Sequence, residues 1–164
     1  MSHSVTITRT TTSTTTSALL INTGYFKTFP GLLKLAQVIL GAVCVGISAH
    51  YMTIYRDVYG YVPQLFFLLM TTTFLIATAC LFFSCLFSLS TATIIAKTLY
   101  ELMYHSIAFI LLLAASLTLL IQVNNHQYRG RYYEPYLAAS IIGLVNSALY
   151  LLSAIFGYRS YRGI

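Results

Sequence analysis

Charged side chains are scarce in this 164-residue chain. Asp, Glu, Lys and Arg make up 7% of the residues, and only three residues are acidic. Hydrophobic residues make up 58%, which is more than the interior of a soluble domain of this size can hold. The lack of charge therefore excludes the soluble globular class and predicts a membrane protein.

Cysteine is also rare, and its placement excludes two kinds of chemistry. Cys44, Cys80 and Cys85 all lie inside long apolar runs, so the segments between the runs have no thiol for a disulfide framework. Cys80 and Cys85 are five residues apart, which is not the C-x-x-C arrangement of thiol oxidoreductases. We expect all three to behave as small buried apolar residues.

Residues for a metal or haem site are lacking too. His50 and His105 are the two histidines near or within apolar runs, and they fall towards opposite ends of those runs in the membrane. An axial pair needs both imidazoles on one group. We therefore expect no cofactor, no metal ion and no catalytic residue, and the protein is not predicted to be an enzyme.

The chain does contain four apolar runs that are long enough to span a membrane. A helix needs about 20 residues to cross a hydrocarbon core of about 30 Å, and the runs are continuous rather than alternating, which favours helices over barrel strands. The predicted fold is an all-α membrane protein, a bundle of four transmembrane helices. The predicted spans are 35–54, 65–88, 102–123 and 136–156.

The basic residues predict an orientation. The first and third loops contain three of them, Arg56, Arg129 and Arg131. The head, middle loop and tail contain six, namely Arg9, Lys27, Lys34, Lys97, Arg159 and Arg162. Because basic residues collect on the cytoplasmic side, both termini are expected in the cytoplasm. The formal charge of +6 is scattered over loops and tails, so it indicates anionic headgroups and not nucleic acid.

Ionisable residues are expected only at the borders of the spans. None of the four predicted spans contains Asp, Glu, Lys or Arg, which argues against ion-coupled transport. Lys97, Glu101 and His105 follow one another at four-residue steps just before and into the third span. This spacing predicts an ion pair between Lys97 and Glu101 at the membrane boundary.

The chain is predicted to have three parts: a disordered Thr/Ser-rich head (1–22), a four-helix domain (23–157) and a short basic tail (158–164). The head is a candidate for phosphorylation at Thr11, Thr12, Thr14 and Thr15, since phosphates would oppose its binding to anionic lipid. Cys85, close to the end of the second span, is a candidate for palmitoylation.

Small residues predict where helices meet. Ala139, Gly143 and Ser147 recur every four residues in the fourth span, with Asn146 beside them, and Ala42 and Gly46 form a weaker pair in the first span. Small side chains let helix backbones approach closely in a membrane. The first group is expected to pack within the bundle or to contact a partner, which includes a second copy of the chain.

Two segments resemble a known family. GYFKTFPGLLKLAQVILGAVCVGI (24–47) resembles the first span of MARVEL-domain proteins, and YRGRYYEPYLAASIIGLVNSALYLLSAIFGYRSYR (128–162) is similar to their third loop and fourth span. The resemblance covers about 23–162 and is closest to the chemokine-like-factor-like and MAL/plasmolipin branches. The chain lacks the cysteine pairs in the outer loops of the synaptophysin and occludin branches.

The resemblance implies a non-catalytic membrane organiser. Such a protein would pack with cholesterol-rich lipid and with client membrane proteins, in vesicle trafficking, membrane apposition or junctions, at the plasma membrane or in endosomal or secretory vesicles. The alternative is a small oligomeric channel or transporter. Its path would be lined by polar side chains of the spans: Gln37, Thr71, Thr72, Thr73, Ser84, Ser116, Thr118 and Gln122.

Overall fold

A computed structural model describes residues 23–54, 62–95, 98–125 and 133–163. A short 3-10 turn, Thr23–Lys27, leads into the helices α1 (Phe29–Ile54), α2 (Val62–Phe87), α3 (Leu89–Ile95), α4 (Leu99–Asn124) and α5 (Tyr133–Arg162). Four of these, all but α3, are long and apolar enough to span a membrane. The predicted four-span, all-α fold is therefore confirmed.

The three prolines stand where helices begin. Pro30, Pro63 and Pro135 each lie within the first three residues of a spanning helix. A proline is tolerated there because the first-turn N–H groups have no partner within the helix. The prolines therefore fix where α1, α2 and α5 start without interrupting them.

The spanning helices are longer than the apolar runs suggested. The helix α1 begins six residues before the predicted span, and α5 continues to Arg162. At about 1.5 Å per residue, the 26 residues of α1 extend over about 39 Å, against a hydrocarbon core of about 30 Å. The helix ends therefore continue to headgroup depth. The short α3 also lies where the sequence suggested only a loop.

The four long helices pack in the ring order α1, α2, α4, α5, with α4 and α5 in the most extensive contact. The helix α1 thus lies diagonally across the bundle from α4, and α2 from α5. We call the end where α1 and α4 begin and α5 finishes the terminal end, and the opposite end the loop end. Which of the two faces the cytoplasm remains a prediction.

The inward faces of the long helices contain many polar and small residues. In α1 the buried residues step by three or four positions, as Lys34, Gln37, Gly41, Cys44 and Ser48. The outward positions between them are apolar and exposed, for example Ile39 and Val43. Lipid is as apolar as leucine, so hydrophobic burial does not hold such helices together, and close packing and hydrogen bonds take that role.

Candidate functional site

The small-residue stripe of α5 faces the interior of the bundle. Ala139, Gly143, Asn146 and Ser147 are all buried. A Cβ atom added to Gly143 would lie 2.5 Å from Ser116 Oγ on α4 and 2.7 Å from Phe67 Cε2 on α2. Only glycine fits this position. The stripe is therefore used for packing within the chain.

The α1 pair, Ala42 and Gly46, lies on the outer surface. Both residues are exposed, and a Cβ atom added to Gly46 would meet nothing within 4 Å among the described residues. The inward contacts of α1 come from other positions: Gly41 lies against Leu75, and the Cys44 thiol is 3.7 Å from the Ala139 carbonyl oxygen. Packing of Ala42 and Gly46 inside the bundle is therefore wrong, and a partner contact there stays a prediction.

A buried ion pair crosses the bundle at the terminal end. Lys34 Nζ of α1 donates a hydrogen bond to Glu101 Oε1 of α4, and the side chains are only 3% and 7% exposed. Glu101 points into the bundle from the first turn of α4, towards Lys34; Lys97, the partner that the four-residue spacing predicts, lies outside the described residues. Lys34 lies in the second turn of α1 and Glu101 in the first turn of α4, so both charges stand near the beginning of a helix long enough to span a membrane.

His105 extends this polar cluster towards the middle of the membrane. Its Nε2 atom is 3.6 Å from Glu101 Oε1, and the residue is fully buried. Neither ring nitrogen has a hydrogen-bond partner among the described residues. His50 lies near the other end of α1, so the two histidines stand at opposite ends of the bundle, as their positions in the sequence indicated.

Gln37 and Ser153 connect α1 to α5 just beyond the ion pair. Gln37 Nε2 donates to Ser153 Oγ at 2.8 Å and to the Leu149 carbonyl oxygen at 3.0 Å. A cleft of about 50 Å³ opens beside Ser153, Lys34 and Glu101. This volume suits water molecules and is far below the 300–1,000 Å³ or so of a typical ligand pocket.

A second diagonal connection lies deeper in the membrane. The Thr78 hydroxyl of α2 is hydrogen-bonded to the Tyr150 hydroxyl of α5 and, at 2.7 Å, to the Tyr104 hydroxyl of α4. Both tyrosine hydroxyls also lie 3.3 Å from the Phe74 carbonyl oxygen. Tyr150, which lies well inside α5, thus has a partner for its hydroxyl in an apolar medium.

Removing the Tyr150 hydroxyl should weaken the bundle modestly. We expect Tyr150→Phe to lower the free energy of unfolding by about 1 kcal/mol, because Thr78 loses a buried partner while the ring still fills its space. Unfolding in mixed micelles, followed by circular dichroism, measures the change. The matched control is Tyr158→Phe, since the Tyr158 ring is exposed; equal effects of both variants would contradict a role for the deep hydroxyl network.

The polar side chains suggested as a channel lining are divided between the inside and the outside. Gln37, Thr71 and Ser116 are buried, whereas Thr73, Ser84 and Thr118 are exposed. The exposed hydroxyls donate to carbonyl oxygens four residues earlier in their own helices, at 2.7–3.0 Å. Such bonds satisfy a hydroxyl without any path for a solute.

The candidate modification sites have different surroundings. Cys85 is buried against Tyr25 and Phe82, beneath the 3-10 turn. Tyr25 is buried as well, and its burial raises the pKa of the Tyr25 phenol. An acyltransferase needs an accessible thiol, so palmitoylation of Cys85, which stays a prediction, would require the turn to move away. Thr11, Thr12, Thr14 and Thr15 lie outside the described residues.

The sequence reasoning missed the two diagonal connections. A signal for them was present, because Lys34 and Gln37 stand at helical spacing with Gly41 and Cys44, and Glu101 stands four residues before His105. In a membrane helix the polar face is the inward one. The spans predicted from hydropathy begin at residues 35 and 102, one residue after Lys34 and Glu101. The contact between these two side chains inside the bundle was therefore not predicted.

Comparisons with known proteins agree with this architecture. A family model described as MARVEL, membrane-associating domain, matches residues 25–156, a range that begins in the 3-10 turn and ends in α5. Plasmolipin from Danio rerio is 28% identical over 149 residues, which cover 87% of this chain and 78% of the relative. No solved structure matches significantly. The chain is therefore an integral, multi-pass membrane protein that belongs to the MARVEL family.

Proposed function

We propose that the protein is a non-catalytic membrane organiser. Its spanning helices contact sterol-rich lipid on one side and the spans of client membrane proteins on another, in vesicle trafficking, membrane apposition or junctions. Both termini lie in the cytoplasm, and the protein resides in the plasma membrane or in endosomal or secretory vesicles. The family membership and the membrane-spanning fold support the general role, and the outer surface supports the finer one.

The observation that carries the proposal is the division between inside and outside. The polar groups of the spans mostly point inward or are bonded to their own helices, and the outer surface offers bulky apolar residues to the membrane. On α1 that surface is interrupted at Ala42 and Gly46, which have small side chains. The exposed side chains of Ile39 and Val43 lie beside them. A spanning helix of a client, or of a second copy, can approach the α1 backbone most closely at this gap.

The gap can be tested by filling it. We expect Ala42→Leu/Gly46→Leu to reduce recovery of client membrane proteins at least about threefold in proximity labelling, because two large side chains hold a partner helix away. Bundle stability should be unchanged, since both positions are exposed. The matched control is Ala114→Leu, which enlarges an exposed alanine on α4 and should leave recovery unaltered.

Two outcomes would count against the proposal. Client recovery that is equal for all variants would remove α1 as the contact surface. Saturable solute flux through liposomes containing the purified protein would support the alternative, a small oligomeric channel or transporter. The exposed hydroxyls bonded within their own helices argue for the organiser.

A further inference from the structure

The terminal end of the bundle has exposed cations that the structure leaves without carboxylate partners. Lys27 lies in the 3-10 turn, and Arg159 and Arg162 lie in the last turn of α5; all three side chains are exposed. Among the described residues, neither ion pair at this end involves any of the three. They form what we call the terminal collar.

The collar residues come from opposite ends of the chain, on segments that pack against each other through aromatic rings. The Phe29 and Phe156 ring centroids are 4.8 Å apart, which places the beginning of α1 against the end of α5. The guanidinium of Arg162 lies 5.4 Å from the centre of the Tyr158 ring, a distance at which the ring attracts and orients the cation. The segments that carry the collar residues therefore lie next to each other at the terminal end.

The depth of the collar is set by the contact of α5 with α4. A Cβ atom added to Gly157 would lie 3.6 Å from Leu102 Cα, so Gly157 is level with the fourth residue of α4. At about 1.5 Å per residue, Arg159 is level with the first turn of α4 and Arg162 lies beyond its start. Both guanidinium groups thus reach headgroup depth, and the exposed Tyr158 and Tyr161 rings fit the interface between lipid and water.

The buried ion pair explains why the collar is purely cationic. Glu101 is the only acidic residue among the described residues of the terminal end, because Glu134 lies at the loop end. Lys34 neutralises Glu101 inside the bundle, where both side chains are buried. Within the described part of the terminal end, the three cations of the collar therefore present their charge outward with no opposing carboxylate.

We infer that the terminal collar binds anionic phospholipid headgroups and enriches such lipids around this end of the protein. Lys27, Arg159 and Arg162 contact the phosphates and other anionic groups of one leaflet, and the neighbouring aromatic rings keep the cations at that depth. Each cation near an anionic surface increases the affinity for that surface by about fivefold. Salt screens the attraction over a Debye length of about 8–10 Å. A single headgroup meets about one of these cations at a time, so with screening we expect a local preference of roughly threefold over a zwitterionic lipid.

The absence of tryptophan from the chain allows a local test. One reporter is Leu32→Trp, an exposed position one turn into α1 at the terminal end; the other is Leu65→Trp, exposed one turn into α2 at the loop end. Each variant is reconstituted in vesicles containing brominated phosphatidylserine or brominated phosphatidylcholine. Quenching of the single tryptophan then gives the relative affinity for the two lipids at each end.

The expected result is a preference for phosphatidylserine of roughly threefold at Leu32→Trp in low salt, falling towards one in 0.5 M salt. Adding Lys27→Gln/Arg159→Gln/Arg162→Gln should abolish it, and Lys27→Arg/Arg159→Lys/Arg162→Lys should retain it. Leu65→Trp should be unaffected by either set of changes. Equal affinities at Leu32→Trp, or a preference that survives the glutamine changes or high salt, would overturn the inference. Helicity by circular dichroism establishes that each variant is folded.

Discussion

Gly143→Leu should destabilise the bundle strongly, and more than the loss of either charge of the buried ion pair. The first added carbon atom would already overlap Ser116 on α4 and Phe67 on α2, and the rest of the side chain has no free space in the middle of the bundle. Overpacking of a tight core typically costs about 1–3 kcal/mol and occasionally more, and leucine adds four carbon atoms at once. We expect the free energy of unfolding to fall by at least about 3 kcal/mol, measured by circular dichroism during titration of mixed micelles with a denaturing detergent.

The same substitution at a second glycine supplies the control. Gly46→Leu adds an identical side chain to a spanning helix, at a position where nothing lies within 4 Å. Helix propensity favours leucine over glycine equally at both positions, so the difference between the variants isolates the packing at Gly143. If Gly143→Leu were as stable as Gly46→Leu, the close approach of α5 to α2 and α4 would not exist in the membrane.

Breaking the buried ion pair should have the second-largest effect. We expect Lys34→Met to lower the free energy of unfolding by about 3 kcal/mol, because Glu101 is then a buried charge without its partner. Glu101→Leu should cost a similar amount by stranding Lys34. The double variant should be more stable than either single variant, since apolar side chains in place of both charges remove the cost of desolvating them.

A double-mutant cycle measures this coupling directly. Unfolding free energies of the parent, the two single variants and the double variant give the interaction energy of the pair. Glu134→Gln is the reference for removing an acidic group, because Glu134 is exposed at the loop end and should change stability by less than about 0.5 kcal/mol. Additive losses in the double variant would show that Lys34 and Glu101 act independently, contrary to the structure.

Gly143 and the Lys34–Glu101 pair stabilise different parts of the bundle. Gly143 permits close contact at mid-membrane, and the Lys34–Glu101 pair connects α1 to α4 across the terminal end. Neither depends on hydrophobic burial, which does not favour one arrangement of apolar helices over another in lipid. Polar connections between diagonal helices fix which helices oppose each other, and small residues fix how closely they approach.

Several features of the fold could be predicted from the order of the residues. The span number follows from four apolar runs, and the small-residue stripe Ala139, Gly143 and Ser147 was visible from its four-residue spacing. The starting points of three helices are encoded locally by the prolines Pro30, Pro63 and Pro135. These features are local, because they depend on residues within one or two helical turns of each other.

The contacts between residues of different helices could not be predicted from the sequence in the same way. Glu101 has Lys97 four residues before it and Lys34 in another helix, and sequence spacing favoured the nearer cation. Likewise, Ala42 and Gly46 have the same spacing as part of the α5 stripe, but one pair faces outward and the other inward. Helix rotation about its own axis decides such cases, and that rotation is set by all the neighbouring helices together.

The sequence by itself determined that the chain spans a membrane four times with helices, since no other structure satisfies the backbone of such long apolar runs in lipid. It also supplied the features by which the chain resembles the MARVEL family. Only the tertiary structure decided that Lys34 pairs with Glu101 across the bundle, that Gly143 is filled by its neighbours while Gly46 is open, and that the terminal collar is left cationic. Those outcomes depend on which side chains from distant segments meet, because a charge buried in lipid is stable only where another helix brings its counter-ion.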